Sequence, residues 1–281
     1  MLPLATLDPA EYVEQAHFFK TLSDRLSEQM PLQDLLAALK LELLVSTQLP
    51  MAVDFLLTEL KHSGLMSAAM QRLSHYFTPY QSYLIGEAEA ERGQFDMRVA
   101  VKILQADAEY RAAGIAQPGL FLFQFESISR NRLRYNQGLL AISQDPLFDA
   151  DWAGFILEVR NQIGLVDLAD LIFMRSEDYR RRRSQGGLDN SQQPAVLFGD
   201  KEGRIAFANR RKDLNFLFSA MQRHLNYPTV PRPVPPDRDK ELVPLLLRRV
   251  ERLESRLKLI EEENRQGIDL TKFYGQPPTN P

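Results

Sequence analysis

Two pairs of side chains in the first 62 residues have the types and spacing of metal ligands. Glu14 with His17 and Glu59 with His62 each follow the pattern Glu-x-x-His, which places a carboxylate and an imidazole one helical turn apart on the same helix face. Ferritin-like di-metal bundles use this pairing, with one motif on each of two helices. These four residues indicate a candidate site for Fe, Mn or Zn, and a metal-dependent helical-bundle enzyme is one hypothesis for the function.

The same pairs have a simpler interpretation as two solvated helix faces. Lys61 lies inside the second motif, and four histidines among many glutamates produce this spacing by chance. No Gly-x-Ser-x-Gly turn, phosphate-binding loop or His-Glu-x-x-His motif occurs, and the chain contains no cysteine. The common hydrolase and nucleotide-binding signatures are therefore missing, and we favour a protein without enzymatic activity or cofactor.

A second group of chemically capable residues is the run Arg180, Arg181, Arg182 and Arg183. Residues 1–128 carry nine basic and sixteen acidic side chains, whereas residues 160–212 carry eleven basic and seven acidic ones. Arginine side chains can bind the phosphates of a nucleic acid, so a third hypothesis for the function is a nucleic-acid-associated factor. The net charge of −3 and the isoelectric point near 5.9 disfavour it, because dedicated nucleic-acid-binding domains are strongly basic.

The elements that position these residues are predicted to be mainly helical. Asp8 followed by Pro9 is typical of a helix start, Pro31 and Pro50 open two further helices, and Gly64 is well placed to end the third. Apolar residues recur at helical spacing through this region. The fold class is therefore predicted as mainly α, with an N-terminal helical bundle over residues 1–115.

Residues 116–227 are predicted to continue the globular body as a small α+β segment. The apolar run from Leu120 to Phe125 could be a strand or a buried helix, and its length favours a helix. A β-hairpin is predicted near residues 195–208, because an acidic residue, Asp200, starts a four-residue turn and Gly203 ends it.

The C-terminal part carries the strongest pattern in the chain. Residues 228–241 are predicted to be a Pro-rich linker, residues 242–266 a coiled-coil helix, and residues 267–281 an irregular tail. Apolar side chains alternate spacings of three and four, which is the heptad repeat of a coiled coil. The seam for oligomerisation comprises Leu246, Val250, Leu253, Leu257, Ile260 and Asn264.

Charges beside this seam predict the orientation of the pair. In a parallel dimer, Arg249 would face Glu254 of the other chain, and Arg256 would face Glu261, whereas an antiparallel pair would bring arginines together. The expected partner is thus a second copy of the chain, in a parallel dimer, or a partner helix. A single amphipathic helix that folds back on the body is the remaining alternative.

The leading hypothesis for function is an intracellular helical adaptor or scaffold that self-associates through this short coiled coil. No window holds the roughly 18 uncharged apolar residues that a membrane span requires. Residues 1–9 have no basic segment followed by an apolar one. We therefore expect a cytoplasmic protein without a membrane span.

Overall fold

The computed structural model describes residues 6–26, 30–90, 95–114, 116–185 and 194–232. The chain divides into two units, residues 1–233 and 234–281, and the first is called the body below. The described part of the body is mainly helical, which confirms that part of the predicted fold class. The predicted coiled-coil helix and the tail lie outside the described residues.

Within the described residues the chain forms thirteen helices. In chain order they are α1 (Pro9–Arg25), α2 (Leu32–Lys40), α3 (Leu49–Ser63), α4 (Met66–Arg72), α5 (Pro79–Glu89), α6 (Met97–Ala112), α7 (Gln117–Arg130), α8 (Tyr135–Ser143), α9 (Ala150–Gln162), α10 (Leu168–Met174), α11 (Glu177–Gln185), α12 (Asp200–Asn209) and α13 (Leu214–Leu225).

The predicted start and stop signals act as expected at several helix ends. The Asp8 carboxylate accepts a hydrogen bond from the Ala10 backbone N–H, and Pro9 occupies the first helical position of α1. Gly64 ends α3 in the left-handed conformation, with φ of 71°, which is accessible to glycine at little steric cost. The ambiguous run from Leu120 to Phe125 lies inside helix α7 and is buried.

The prediction of a β-hairpin near residues 195–208 is wrong, because residues 200–209 form helix α12. Asp200 lies in the first turn of this helix, where its carboxylate pairs with Arg204 one turn later, at 2.5 Å. Gly203 does not turn the chain. A Cβ atom at this position would approach Ser176 Cβ to 2.7 Å and Asp178 Cβ to 2.9 Å, so the glycine allows α12 to pack closely against the start of α11.

One contiguous apolar cluster extends through the described body. Helix α1 packs along α6, α8 packs on α9, and α10 packs on α12. Phe121, Phe155 and Phe198 surround Trp152 with ring centroids 5.1 to 5.9 Å from the indole. In the described part of the chain, no helix is both long and apolar enough to cross a membrane.

A charged triad is buried inside this apolar core. The Arg111 side chain on α6 is fully buried, as are the carboxylates of Asp107 and Asp145. Arg111 Nε donates to Asp107 Oδ2 at 2.6 Å, and its two terminal nitrogens donate to Asp145 at 3.2 and 2.5 Å. Gln124 on α7 donates to the other oxygen of Asp107 at 3.1 Å. The triad therefore ties α6 to α7 and to the segment that follows α8.

Candidate anion-binding face

The structure does not bring the four predicted metal ligands together. Glu14 on α1 is buried and accepts a hydrogen bond from the Leu44 backbone N–H at 2.7 Å, while His17 is exposed. Glu59 on α3 pairs with Arg72 at 2.5 Å, and His62 is exposed. In the part of the chain that the structure describes, no three His, Asp or Glu side chains form a group that could hold a metal ion.

Glu14 acts with Glu11 to fasten the connection between α2 and α3 onto α1. Glu11 accepts from the Gln48 backbone N–H at 2.8 Å and from the Tyr76 hydroxyl at 2.9 Å. Burial and the adjacent Glu11 carboxylate raise the pKa of Tyr76 well above its ordinary value, so this hydroxyl remains a hydrogen-bond donor. The first Glu-x-x-His motif thus contributes a structural carboxylate.

The predicted arginine run, in contrast, meets a second basic segment in space. Arg182 on α11 and Arg210 at the end of α12 contact the same side chain, Phe207, with their guanidinium carbons 4.2 and 3.7 Å from the ring centroid. Both also approach Phe173 on α10, at 5.6 and 5.4 Å. We call these four residues the arginine–phenylalanine cluster.

The ring of Phe207 contacts both guanidinium groups. A carbon this close to the centroid stands above a face of the ring, because the ring's own edge atoms block an approach in its plane. This is a double cation–π arrangement, and each such contact is favourable.

Two aspartates hold the arginines of α11 in place. Asp178 is buried and pairs with Arg181 at 2.9 Å and with Arg182 at 2.8 Å. Asp200 at the start of α12 pairs with Arg181 and with Arg204. Desolvation opposes the charge on Asp178, but the hydrogen bonds from the two arginines outweigh it and lower the pKa of its carboxyl below the ordinary value. The carboxylate therefore stays ionised and orients Arg182.

A third aspartate fixes the turn that carries Arg210. Asp167 Oδ1 caps α10 through the Ala169 N–H at 3.0 Å, and Asp167 Oδ2 accepts from the Arg211 backbone N–H at 2.7 Å. Arg211 adopts a left-handed backbone conformation with φ of 59°, which is uncommon for a residue other than glycine. The short connection between α12 and α13 is thereby held in one conformation beside the cluster.

Further cations lie on α11 and in the turn that follows α12. Arg180, Arg211 and Lys212 are exposed, and Arg183 follows Tyr179 by one turn on α11, where Tyr179 packs edge-on against Phe173 at 5.2 Å. The Nε atom of Arg183 is buried and has no acceptor among the described residues. The arginines offer several N–H donors next to a partly exposed aromatic ring, since 36% of Phe207 remains exposed.

The sequence analysis singled out the arginine run of α11 but not the two phenylalanines. Arg210 follows Phe207 by three residues, which places the two side chains on one face only if the segment is helical. Interpreting residues 204–207 as a strand concealed this signal. The predicted oligomerisation seam and its inter-chain ion pairs, residues 246–264, lie outside the described residues.

No protein-family model, no curated protein and no solved structure matches the chain.

Proposed function

We propose that this chain is a non-enzymatic helical adaptor or scaffold that self-associates through a short parallel coiled coil formed by residues 243–264. The observation that carries the proposal is the heptad pattern, in which Val250 and Leu257 occupy a positions and Leu246, Leu253 and Ile260 occupy d positions. Asn264 at a further a position favours two strands in fixed register, at some loss of stability.

The way the chain leaves the body supports this role. After α13, Tyr227 and Val230 are buried, and the Tyr227 hydroxyl donates to Glu126 at 2.8 Å. Asn131 Nδ2 donates to the Pro231 carbonyl at 3.3 Å. The start of the Pro-rich linker is therefore attached to the body at a defined place. From the five prolines between residues 228 and 236 we expect a semi-rigid spacer.

Three heptads are close to the shortest length at which helices pair stably in water. The proposed dimer therefore has modest intrinsic stability, which suits an assembly that responds to concentration or to a partner.

Because the natural chain has no cysteine, a single introduced thiol tests the proposed orientation without background. Leu246→Cys places a thiol at a d position near one end of the seam, where a parallel, in-register dimer sets the two thiols opposite each other. We expect a disulfide-linked dimer under mild oxidation, because the Cβ atoms of facing core positions lie within the reach of a disulfide.

Ser255→Cys, at an outward-facing f position, is the matched control and should remain a single chain. Equal crosslinking of the two variants, or none in Leu246→Cys, would contradict the parallel coiled coil.

A further inference from the structure

The arginine–phenylalanine cluster has the geometry of a preorganised anion receptor. A guanidinium group stacked on an aromatic ring keeps its N–H donors in its own plane, directed away from the ring. Arg210 uses Nε for the Phe207 carbonyl at 3.3 Å, and its contact with Asp170 is 3.7 Å, longer than a hydrogen bond. Its terminal donors have no closer acceptor among the described residues.

Arg182 is preorganised in a different way. One terminal nitrogen pairs with Asp178 at 2.8 Å, while stacking on Phe207 restricts the remainder of the guanidinium group. Because both arginines are already fixed by protein contacts, binding an anion here requires little further ordering of side chains, which is a main cost of association.

The charges and rings of this face favour carboxylates over a nucleic-acid strand. Single-stranded nucleic acids stack their bases on open aromatic faces, but the guanidinium groups of Arg182 and Arg210 already lie against the Phe207 ring. Asp170, Asp178 and Asp200 lie among the arginines and would repel a continuous row of phosphates. A short segment with a few separated carboxylates avoids this repulsion, since each carboxylate can meet one guanidinium fork.

We propose that Arg182 and Arg210, held against Phe207, bind an acidic segment of a partner protein through its carboxylate groups. The inference rests on the adaptor function proposed above, because it names the chemistry of the adaptor's partner. It does not require that the coiled coil forms. The exposed part of Phe207 contacts the aliphatic part of the bound segment, and the two arginines bind the charges of that segment.

The test measures fluorescence anisotropy of a labelled peptide of alternating glutamate and serine, titrated with the full chain at low salt. We expect saturable binding that weakens on raising the salt to about 200 mM, and no binding of the matched peptide with glutamine in place of glutamate. Arg182→Gln and Arg210→Gln should each weaken binding by about tenfold, which is the loss expected for one charge-assisted contact. Arg98→Gln, an exposed arginine on α6 paired with Asp96 at 3.2 Å, is the matched control and should bind as the wild type does.

Several results would overturn the proposal. These are equal binding of the glutamate and glutamine peptides, no saturable binding, or unchanged affinity in both arginine variants. Tighter binding of a single-stranded oligothymidylate than of the glutamate peptide would assign the face to nucleic acid instead. Arg182→Gln could fail to fold because Asp178 loses a partner. Arg210→Gln then still tests the proposal, since the contact of Arg210 with Asp170 is longer than a hydrogen bond.

The mass of each sample, measured in the same buffer, separates this inference from the proposed function. A single chain that binds the glutamate peptide contradicts the coiled coil and supports the inference. A dimer that does not bind the peptide supports the coiled coil and contradicts the inference.

Discussion

The buried triad of Arg111, Asp107 and Asp145 provides a quantitative test of how the core is stabilised. Arg111→Met keeps a long apolar side chain but removes the guanidinium group, which makes three hydrogen bonds to the two carboxylates. Removing one partner of a buried ion pair costs about 3–5 kcal/mol, because the remaining charges are left without compensation. That is a large part of the roughly 5–15 kcal/mol by which domains are stable.

Urea unfolding followed by circular dichroism measures this loss. With a slope of about 2–3 kcal/mol per molar urea, at the upper end for small proteins, the midpoint of Arg111→Met should fall by about 1–2.5 M. Arg98→Met removes an exposed ion pair and serves as the matched control, with an expected change of about 0–1 kcal/mol. Equal changes in the two variants would refute the assignment of a buried, energetically coupled triad.

The pH dependence of the same variant gives an independent check. Burial favours the neutral carboxyl and raises the pKa of Asp107 even with Arg111 present, and removing the guanidinium raises it further. A folded-state pKa above the unfolded one means that the folded variant binds more protons between the two values, so its stability rises as the pH falls through this window. The gap between wild type and Arg111→Met should therefore narrow from about pH 7 towards pH 4.

Three further predictions concern the helices around the candidate site and in the core. Gly203→Ala should destabilise the body by about 1–3 kcal/mol, because its Cβ would meet Ser176 and Asp178. Gly154→Ala lies inside helix α9 with no atom within 4 Å of the added Cβ, and it should stabilise the body by about 0.5–1 kcal/mol. Thermal unfolding of both variants measures this contrast, and equal effects would contradict the close packing at Gly203. Asp178→Asn should lower the stability of the body above about pH 4, and the difference in stability from the wild type should shrink at lower pH. The reason is that a carboxyl whose folded pKa is depressed loses its contribution to stability once it is protonated. Acid titration followed by circular dichroism measures this difference, and a difference that grows with acidification would be inconsistent with the ion pairs. Replacing the whole triad with Asp107→Leu, Arg111→Met and Asp145→Leu should recover much of the stability lost in Arg111→Met alone, since an apolar replacement leaves no unpaired buried charge. Urea midpoints measure the recovery, and a triple variant less stable than Arg111→Met would contradict it.

Much of the helical architecture follows from local signals in the sequence. Asp8 and Pro9 start α1, and Gly64 and Gly164 follow helices in left-handed conformations, because these residues lower the free energy of a helix end without help from the rest of the fold. The failure at residues 200–203 has a physical reason. An acidic residue followed by a glycine suits a hairpin turn and also suits a helix start whose glycine lies under a neighbouring helix, and only tertiary packing distinguishes the two.

The polar core and the candidate site depend on contacts that are distant in sequence. Asp107 and Arg111 extend the buried stripe of Ala100, Leu104 and Ala108 at helical spacing, so the pattern contained a signal for their burial. Asp145, the second carboxylate that Arg111 binds, lies 34 residues beyond Arg111, and nothing local predicts its position. In the same way, Arg182 and Arg210 meet at Phe207 only through the packing of α10, α11 and α12.

The mass of the chain in solution tests the central claim most directly. Sedimentation equilibrium of the full chain, 32.2 kDa, and of a version ending at Pro236 should be compared over a range of concentrations. The adaptor proposal predicts that the full chain reaches twice its monomer mass and that the shortened chain, which lacks the heptad seam, remains a monomer. Monomers in both samples, or dimers in both, would contradict self-association through residues 243–264.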